Sequence, residues 1–259
     1  MASLSGRKAI VTGAGRGIGA AIARTLAASG ADLIVASRSA PPAEAVAAEL
    51  RARDAQAWAT VCDVAEAAQV DALAALALER LGRVDILVNN AGAAHSAPIR
   101  KLELEDWQRV IAVNATGTFL CTKAFLPGMV ERGWGRVVNV ASTAALQGAR
   151  YIAAYAAAKH AVLGFTRCAA AEVAASGVTV NAVCPGYVDT DMTFATIRTI
   201  VARSGRTEEQ ARDFITSLNP QRRLIRPEEV AWAVRSLCEP DAQGINGQTI
   251  VMDGGGLLA

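Results

Sequence analysis

The chain has 259 residues, 52% of them hydrophobic and 19% charged, with 26 basic against 24 acidic residues for a net charge of +2. That length fits one undivided α/β domain over residues 1–259, with a core that needs no disulfide or metal staple. So even a charge balance makes no basic field, which excludes a general nucleic-acid binder. Five scattered cysteines, Cys62, Cys121, Cys168, Cys184 and Cys238, form no C-x-x-C pair and no Cys/His cluster. They read as small apolar residues of a reducing compartment, and no metal site is expected. Met1 to Lys8 lacks the apolar segment of a signal peptide. The longest uncharged stretch, Val173 to Val188, is broken by Gly177, Pro185 and Gly186. A soluble cytoplasmic protein with no membrane partner is expected.

Lys8 to Thr12 is the first of seven short apolar runs that read as buried strands. Thr12-Gly13-Ala14-Gly15-Arg16-Gly17-Ile18-Gly19 follows it and opens a helix over Gly17–Ser29, with Gly30 as the C-terminal stop. Strand, glycine turn and helix in that order make a dinucleotide-binding turn. One glycine permits the tight turn, one lets backbone approach a pyrophosphate, and one lets helix and strand pack closely. The anion then meets free N–H groups at the helix N-terminus. The second strand, Asp32 to Ala36, leads into Ser37 and Arg38, where a carboxylate would bind a ribose 2′-hydroxyl. None is present to repel a 2′-phosphate, and Arg38 and Arg16 can bond one. NADP(H) is therefore the expected cofactor, with NAD(H) possible and a merely solvated Arg38 as the alternative.

Further strands are expected at Ala57–Val61, Ile86–Val88, Arg136–Ala141, Val178–Val183 and Thr249–Met252. Helices alternate with them at Ala43–Ala52, Ala67–Leu81, Leu104–Arg132, Tyr151–Ala175 and Glu228–Leu237, the last started by Pro227. Alternation implies parallel crossovers and hence a doubly wound parallel sheet of seven strands. The charged, irregular segment 189–224 interrupts the rhythm. It reads equally as a surface excursion or as a substrate lid.

Tyr155 and Lys159 lie four residues apart, hence on one helix face, and Ser142 lies thirteen residues earlier. A phenol, an ammonium and a hydroxyl can together form a proton-transfer site. A tyrosine with a pKa of about 10 needs roughly 4 kcal/mol of phenolate stabilisation to act as a base near neutrality. One cation about 4 Å away supplies that at an effective dielectric near 20, so Lys159 is expected to lower the Tyr155 pKa.

Together these residues resemble the short-chain dehydrogenase/reductase family over nearly the whole chain, which implies a Rossmann-like seven-stranded parallel sheet in the order 3-2-1-4-5-6-7. The glycine turn is similar to that family's T-G-x-x-x-G-I-G, and Asn89-Asn90-Ala91-Gly92 to its N-N-A-G element. Asn114, Ser142, Tyr155 and Lys159 follow in the family's order, then Pro185-Gly186 with Thr190. Asp63-Val64 resembles the pair that holds adenine. Singly, Asn90 is a turn residue, Asn114 a mid-helix asparagine, Asp63 a helix cap and Thr190 a loop hydroxyl. The resemblance implies an oxidoreductase that interconverts a carbonyl and a secondary alcohol. Tyr155 is then the acid or base, Lys159 also bonds the nicotinamide ribose, and Ser142 donates to the substrate oxygen. Asn114 positions a relay water. Asn90, Ala91, Gly92, Pro185, Gly186, Val188 and Thr190 join the glycine turn around the cofactor.

By the same resemblance, the substrate meets Ser142, Leu146, Tyr151, Tyr187, Met192 and Phe194. An apolar wall beside Arg198, Arg203 and Arg206 suits an acyl chain on phosphopantetheine, coenzyme A or a carrier protein. The chain looks most like bacterial 3-oxoacyl reductases and related ketoreductases. Other alcohols, ketones, sugars or steroids, or a non-catalytic dinucleotide-binding regulator, remain as alternatives. His95 borders the expected site; His160 points elsewhere on its helix. The Tyr151–Ala175 segment is apolar almost all round, so part of it is expected in an interface. The family implies a homo-oligomer, commonly a tetramer.

Overall fold

The central apolar runs are strands whose side chains alternate between two separate cores. In the computed structural model, which describes residues 3–257, Ala9 and Val11 enter one core and Ile10 the other. Leu33 and Val35 part from Ile34 and Ala36 in the same way, and Ile86 and Val88 from Leu87. A strand covered on both faces is apolar at successive positions, which is why the runs show little polar alternation. Met1 and Ala2, the start of the stretch read for a leader, lie outside the described residues.

The strands are β1 (Lys8–Thr12), β2 (Asp32–Ser37), β3 (Ala57–Val61), β4 (Ile86–Asn89), β5 (Gly135–Val140), β6 (Val178–Pro185) and β7 (Thr249–Met252). All neighbours pair in parallel, in the order β3-β2-β1-β4-β5-β6-β7, as expected. Helices α1 (Gly17–Ala28), α2 (Ala40–Arg51) and α9 (Pro227–Cys238) pack on one face. On the other lie α3 (Ala67–Leu81), α5 (Gly117–Glu131) and α6 (Ala153–Val173). Chain direction across the sheet reverses between β1 and β4, which opens a crevice beyond their C-terminal ends.

Several helix boundaries differ from the sequence reading, and three of the differences have a clear local reason. The expected Leu104–Arg132 helix is α4 (Leu104–Ile111), a π-turn (Ala112–Thr116), and α5. Asn114 sits in that turn, and its Nδ2 donates to Val110 O at 2.8 Å, occupying the carbonyl four residues back. A side chain that takes this acceptor competes with the α-helical ladder and favours a wider turn. Helix α2 starts at Ala40 rather than Ala43 because Pro41 and Pro42 suit a first turn. Helix α6 starts at Ala153 rather than Tyr151, since Tyr151 has a φ of 73°.

Leu104–Glu131 is one helical run long and apolar enough to cross a membrane by length and composition. Here the π-turn interrupts it, and Cys121, Phe125 and Met129 of α5 pack in the sheet core. Segment 189–224 holds α7 (Asp191–Ser204) and α8 (Glu208–Ser217), with a small core of Ile197, Ala211, Ile215 and Leu224. Its exit is tied to α9 through Glu229, which accepts two bonds from Arg223 at 2.6 and 2.7 Å and one from Arg226 N at 2.8 Å. These donors, Arg223 first, hold the Glu229 carboxyl at about 2. Glu229→Ala should destabilise by about 1 kcal/mol, the scale of a lost cap and a solvent-facing ion pair. A carboxylate with a depressed folded pKa contributes above its ordinary 4.5 and loses that contribution as pH falls toward 2. Thermal melts should show a Tm gap from the parent of a few degrees near neutrality, narrowing below pH 4.5.

Candidate active site

The crevice between β1 and β4 is closed by a clamp from Thr12 to Asn90. The Thr12 hydroxyl accepts the N–H groups of Asn90 and Ala91, each at 3.1 Å. Asn90 Nδ2 donates back to Thr12 O at 2.9 Å and Gly13 O at 3.1 Å. The clamp leaves no room for side chains in the turn. A Cβ on Gly13 would stand 2.8 Å from Ala91 Cα, and one on Gly19 would stand 2.4 Å from both Asn90 Nδ2 and Gly13 O. Gly13 also has a φ of 63°, which favours glycine. Helix α1 begins with no side-chain cap and no acidic residue in its own first turn, so its leading N–H groups are left to a ligand in the crevice.

Four polar side chains gather beyond the ends of β4 and β5. Lys159 is 4% exposed, and its Nζ donates to Val140 O at 2.8 Å. That Nζ lies 5.7 Å from the Tyr155 ring centre. Asn114 Nδ2 donates to Ala93 O at 2.7 Å, while its buried Oδ1 has no partner. A Cβ on Gly92 would touch that Oδ1 at 3.0 Å and Lys159 Nζ at 3.7 Å, so both atoms border the same glycine. A buried acceptor without a donor is rare and fits a bridging water or hydroxyl. Ser142 follows β5 in extended backbone and accepts the Ala144 N–H at 3.2 Å.

The electrostatics differ from the sequence expectation. Burial pushes the Tyr155 phenol up, opposed by its hydrogen bond with Ser142. Lys159 does not bring the expected lowering: burial penalises the phenolate, and the Ser142 hydrogen bond is what opposes it. Lys159 is itself lowered from 10.5 to about 8 by burial. Tyr155 is therefore a neutral proton donor near neutrality, beside an ammonium that titrates close to the working range.

The other expected residues fall around this centre. Ser37 Oγ would lie 3.1 Å from a Cβ on Gly15, beside the turn, while Arg38 and Arg16 are exposed. Asp63 accepts the Ala65 N–H at 3.1 Å, so it makes a tight turn and does not cap α3, whose first flanking residue is Glu66. Val64 is buried and would meet a Cβ on Gly117 at 2.6 Å. Pro185 and Val188 are buried, Gly186 lies against Asp253, and Thr190 borders Gly17. Of the apolar wall residues, Leu146, Tyr151, Tyr187 and Met192 are exposed, whereas Phe194 packs into the small core of α7 and α8. Arg203 Nη2 approaches Ser96 O at 3.4 Å, and Ala97 N donates to Tyr151 O at 2.9 Å, which joins α7, the 93–98 loop and the 144–151 loop into one rim. His95 Nε2 lies 3.4 Å from Asp106 on α4; His160 Nδ1 bonds Ala156 O within its own helix.

Sequence reasoning missed Thr12 as a clamp and the carbonyls of Ala93 and Val140 as anchors. The threonine had a signal, its place before the glycines. The carbonyls had none, since every residue carries one.

The profile of the short chain dehydrogenase family matches residues 7–199, and the chain belongs to that family. It is 43% identical to a 3-oxoacyl-[acyl-carrier-protein] reductase of Synechocystis over 98% of both chains. It is 41% identical to a putative ketoacyl reductase of Streptomyces coelicolor, again over 98% of both. It is 38% identical to a D-beta-hydroxybutyrate dehydrogenase of Cupriavidus necator, over 97% of this chain and 98% of the other. A crystal structure of an actinorhodin polyketide ketoreductase with NADPH superposes with a TM-score of 0.94, at 40% identity over 98% of both chains. The chain is thus an oxidoreductase of the short-chain class.

If the charged form of Lys159 serves turnover, carbonyl reduction should decline as pH rises through about 8. Lys159→Arg, whose cation persists at higher pH, should move that limb upward by at least one pH unit or so. A pH–rate profile of both proteins measures this.

Proposed function

We propose that this protein is an NADP(H)-preferring reductase of 3-oxoacyl thioesters, carried on coenzyme A or an acyl carrier protein. The observation that carries the reading is the convergence of Asn114, Ser142, Tyr155 and Lys159 beside a turn whose glycines admit no side chain. A dinucleotide fits that turn, because its close backbone and uncapped helix suit a pyrophosphate. Gly13, Gly15, Gly17, Ile18 and Gly19 would hold the pyrophosphate, and Arg16, Ser37 and Arg38 the 2′-phosphate. Asp63 and Val64 would hold adenine. Lys159 would hold the nicotinamide ribose, with Asn90, Ala91, Gly92, Pro185, Gly186, Val188 and Thr190 along the remaining path. When bound, this cofactor supplies or accepts the hydride.

The residues then manage the proton. Ser142 donates a hydrogen bond to the substrate oxygen and stabilises its developing charge. Tyr155 gives that oxygen its proton in reduction and takes it back in oxidation; a raised phenol pKa suits the first direction. Asn114 Oδ1 and Lys159 Nζ hold a water between them, through which Tyr155 regains its proton from solvent.

The thioester preference is supported by the names of the relatives above 40% identity and by Arg198, Arg203 and Arg206 on the lid rim. The whole chain acts as one catalytic unit in the cytoplasm, and segment 189–224 covers the bound acyl group. A second reading, a dehydrogenase of a short hydroxy acid, is favoured by the D-beta-hydroxybutyrate dehydrogenase relatives. Both are separated by following the absorbance of the reduced cofactor with acetoacetyl-CoA, free acetoacetate, simple ketones and sugars, using NADPH and NADH. Acetoacetyl-CoA with NADPH should give the highest kcat/KM, and a preference for the free acid or for NADH sinks the corresponding half of the proposal. Tyr155→Phe should lose about 10²–10⁴-fold in turnover while binding NADPH normally.

A homo-oligomer, in the form of a tetramer, accounts for the outer face of α6. Ala161, Gly164, Cys168 and Ala171 lie exposed along it, beside exposed Phe119, which meets Phe165 edge to face at 6.1 Å. Small residues let a second helix approach closely, and aromatics at the rim add apolar area. Light scattering should give about four times the chain's 26.8 kDa, and a monomer overturns the assignment.

A further inference from the structure

The guanidinium of Arg16 has two anionic claimants, and the chain supplies one of them. Arg16 Nη1 lies 3.2 Å from Asp191 Oδ2, across the crevice from the glycine turn to the first residue of α7. The two segments touch beside the pair, since a Cβ on Gly17 would stand 3.2 Å from Thr190 Cγ2. The start of α7 is pinned there, with the hydroxyls of Thr190 and Thr193 both donating to Val188 O. On its other side the turn adjoins β2, where Gly15 packs against Ser37. Arg16 therefore stands between the Ser37–Arg38 corner and the lid.

We propose that Asp191 sets how strongly the protein discriminates NADP from NAD, by competing with the 2′-phosphate for Arg16. This rests on the assignment of that corner to the 2′-phosphate. Asp191 is a positioning residue, because it acts through Arg16. A 2′-phosphate carries more charge and more acceptor oxygens than one carboxylate, so it draws the guanidinium over. The Arg16–Asp191 pair is exposed, 78% and 70% at the two side chains, and such pairs are weak and screened by salt. It tunes the preference and does not lock it. The same exchange detaches the glycine turn from the first turn of α7, so the phosphate that distinguishes the cofactors also loosens one tether of the lid.

The signature separates this role from a general charge effect. The negative charge of Asp191 opposes the pyrophosphate of NADPH and NADH alike. Its hold on Arg16 affects NADPH alone. Calorimetric titration of the full chain with NADPH and with NADH reads both. Asp191→Asn should increase the ratio of NADPH to NADH affinity by about two- to five-fold, the range of an exposed ion pair. Arg16→Ala should decrease that ratio, and Asp191→Asn made in the Arg16→Ala background should leave it where Arg16→Ala put it. An equal change for both cofactors, no change, or an effect that survives without Arg16 overturns the proposal. A parent that favours NADPH, loses that preference with Arg16→Ala, and is untouched by Asp191→Asn keeps the cofactor assignment and sinks only the role of Asp191. A parent that favours NADH and ignores Arg16→Ala and Arg38→Ala sinks both.

Discussion

The four hydrogen bonds from the Asn90–Ala91 backbone and the Asn90 amide, three to Thr12 and one to Gly13 O, hold the molecule's working end together. They join β1 to β4 at the point where strand order reverses, which is where an open α/β sheet must gape. Without the clamp, the glycine turn and the N-N-A-G segment would be two unrelated loops. With it, the turn is pressed so close to Ala91 that side chains are excluded at Gly13 and Gly19. The glycine spacing is thus a consequence of the clamp as much as of ligand binding.

Behind this edge, a buried polar ladder ties β4 and β5 to α5 and to α6, the helix that carries Tyr155 and Lys159. Asn89 Nδ2 donates to Thr122 Oγ1 of α5 at 3.0 Å and to Asn139 Oδ1 of β5 at 2.9 Å. Asn139 Nδ2 continues to Thr166 Oγ1 of α6 at 2.8 Å. Buried amides and hydroxyls are costly unless paired, so they reject packings that an all-apolar core would tolerate. The π-turn does the same at the other end of α5. It gives Asn114 an amide satisfied by Ala93 and Val110 and leaves its oxygen directed at the site. Asn114, Lys159 and Ser142 therefore come from three elements whose relative positions are fixed by hydrogen bonds.

Much of the fold was legible in the chain itself. β1, β3, β7 and α3 were located end to end, because short apolar runs between turn residues and a longer helical period each leave a plain signature. Alternation gave the parallel, doubly wound sheet, whereas its strand order came with the family resemblance. Helix ends were less legible where local chemistry overrides periodicity, as at Asn114, at Pro41–Pro42 and at Tyr151. Within the site, the residue types and their order were readable, but the sign of the Tyr155 shift was not. Spacing reports that a lysine is near a phenol. It does not report how deeply the phenol is buried or that the ammonium is already bonded to Val140.

The sequence alone determined the class of chemistry, since a glycine turn after a strand and a Ser–Tyr–Lys set carry their own physical meaning at short range. It also determined the absence of a carboxylate after β2, which bears on cofactor choice. Tertiary structure decided what depends on distance between remote segments. It brought Asp191 to Arg16, Asn114 and Lys159 to Gly92, and Arg203 to Ser96. It also set the dielectric around Tyr155 and Lys159. Burial and long-range contact have no local code, because they arise from how seven strands and nine helices close over one another among the described residues.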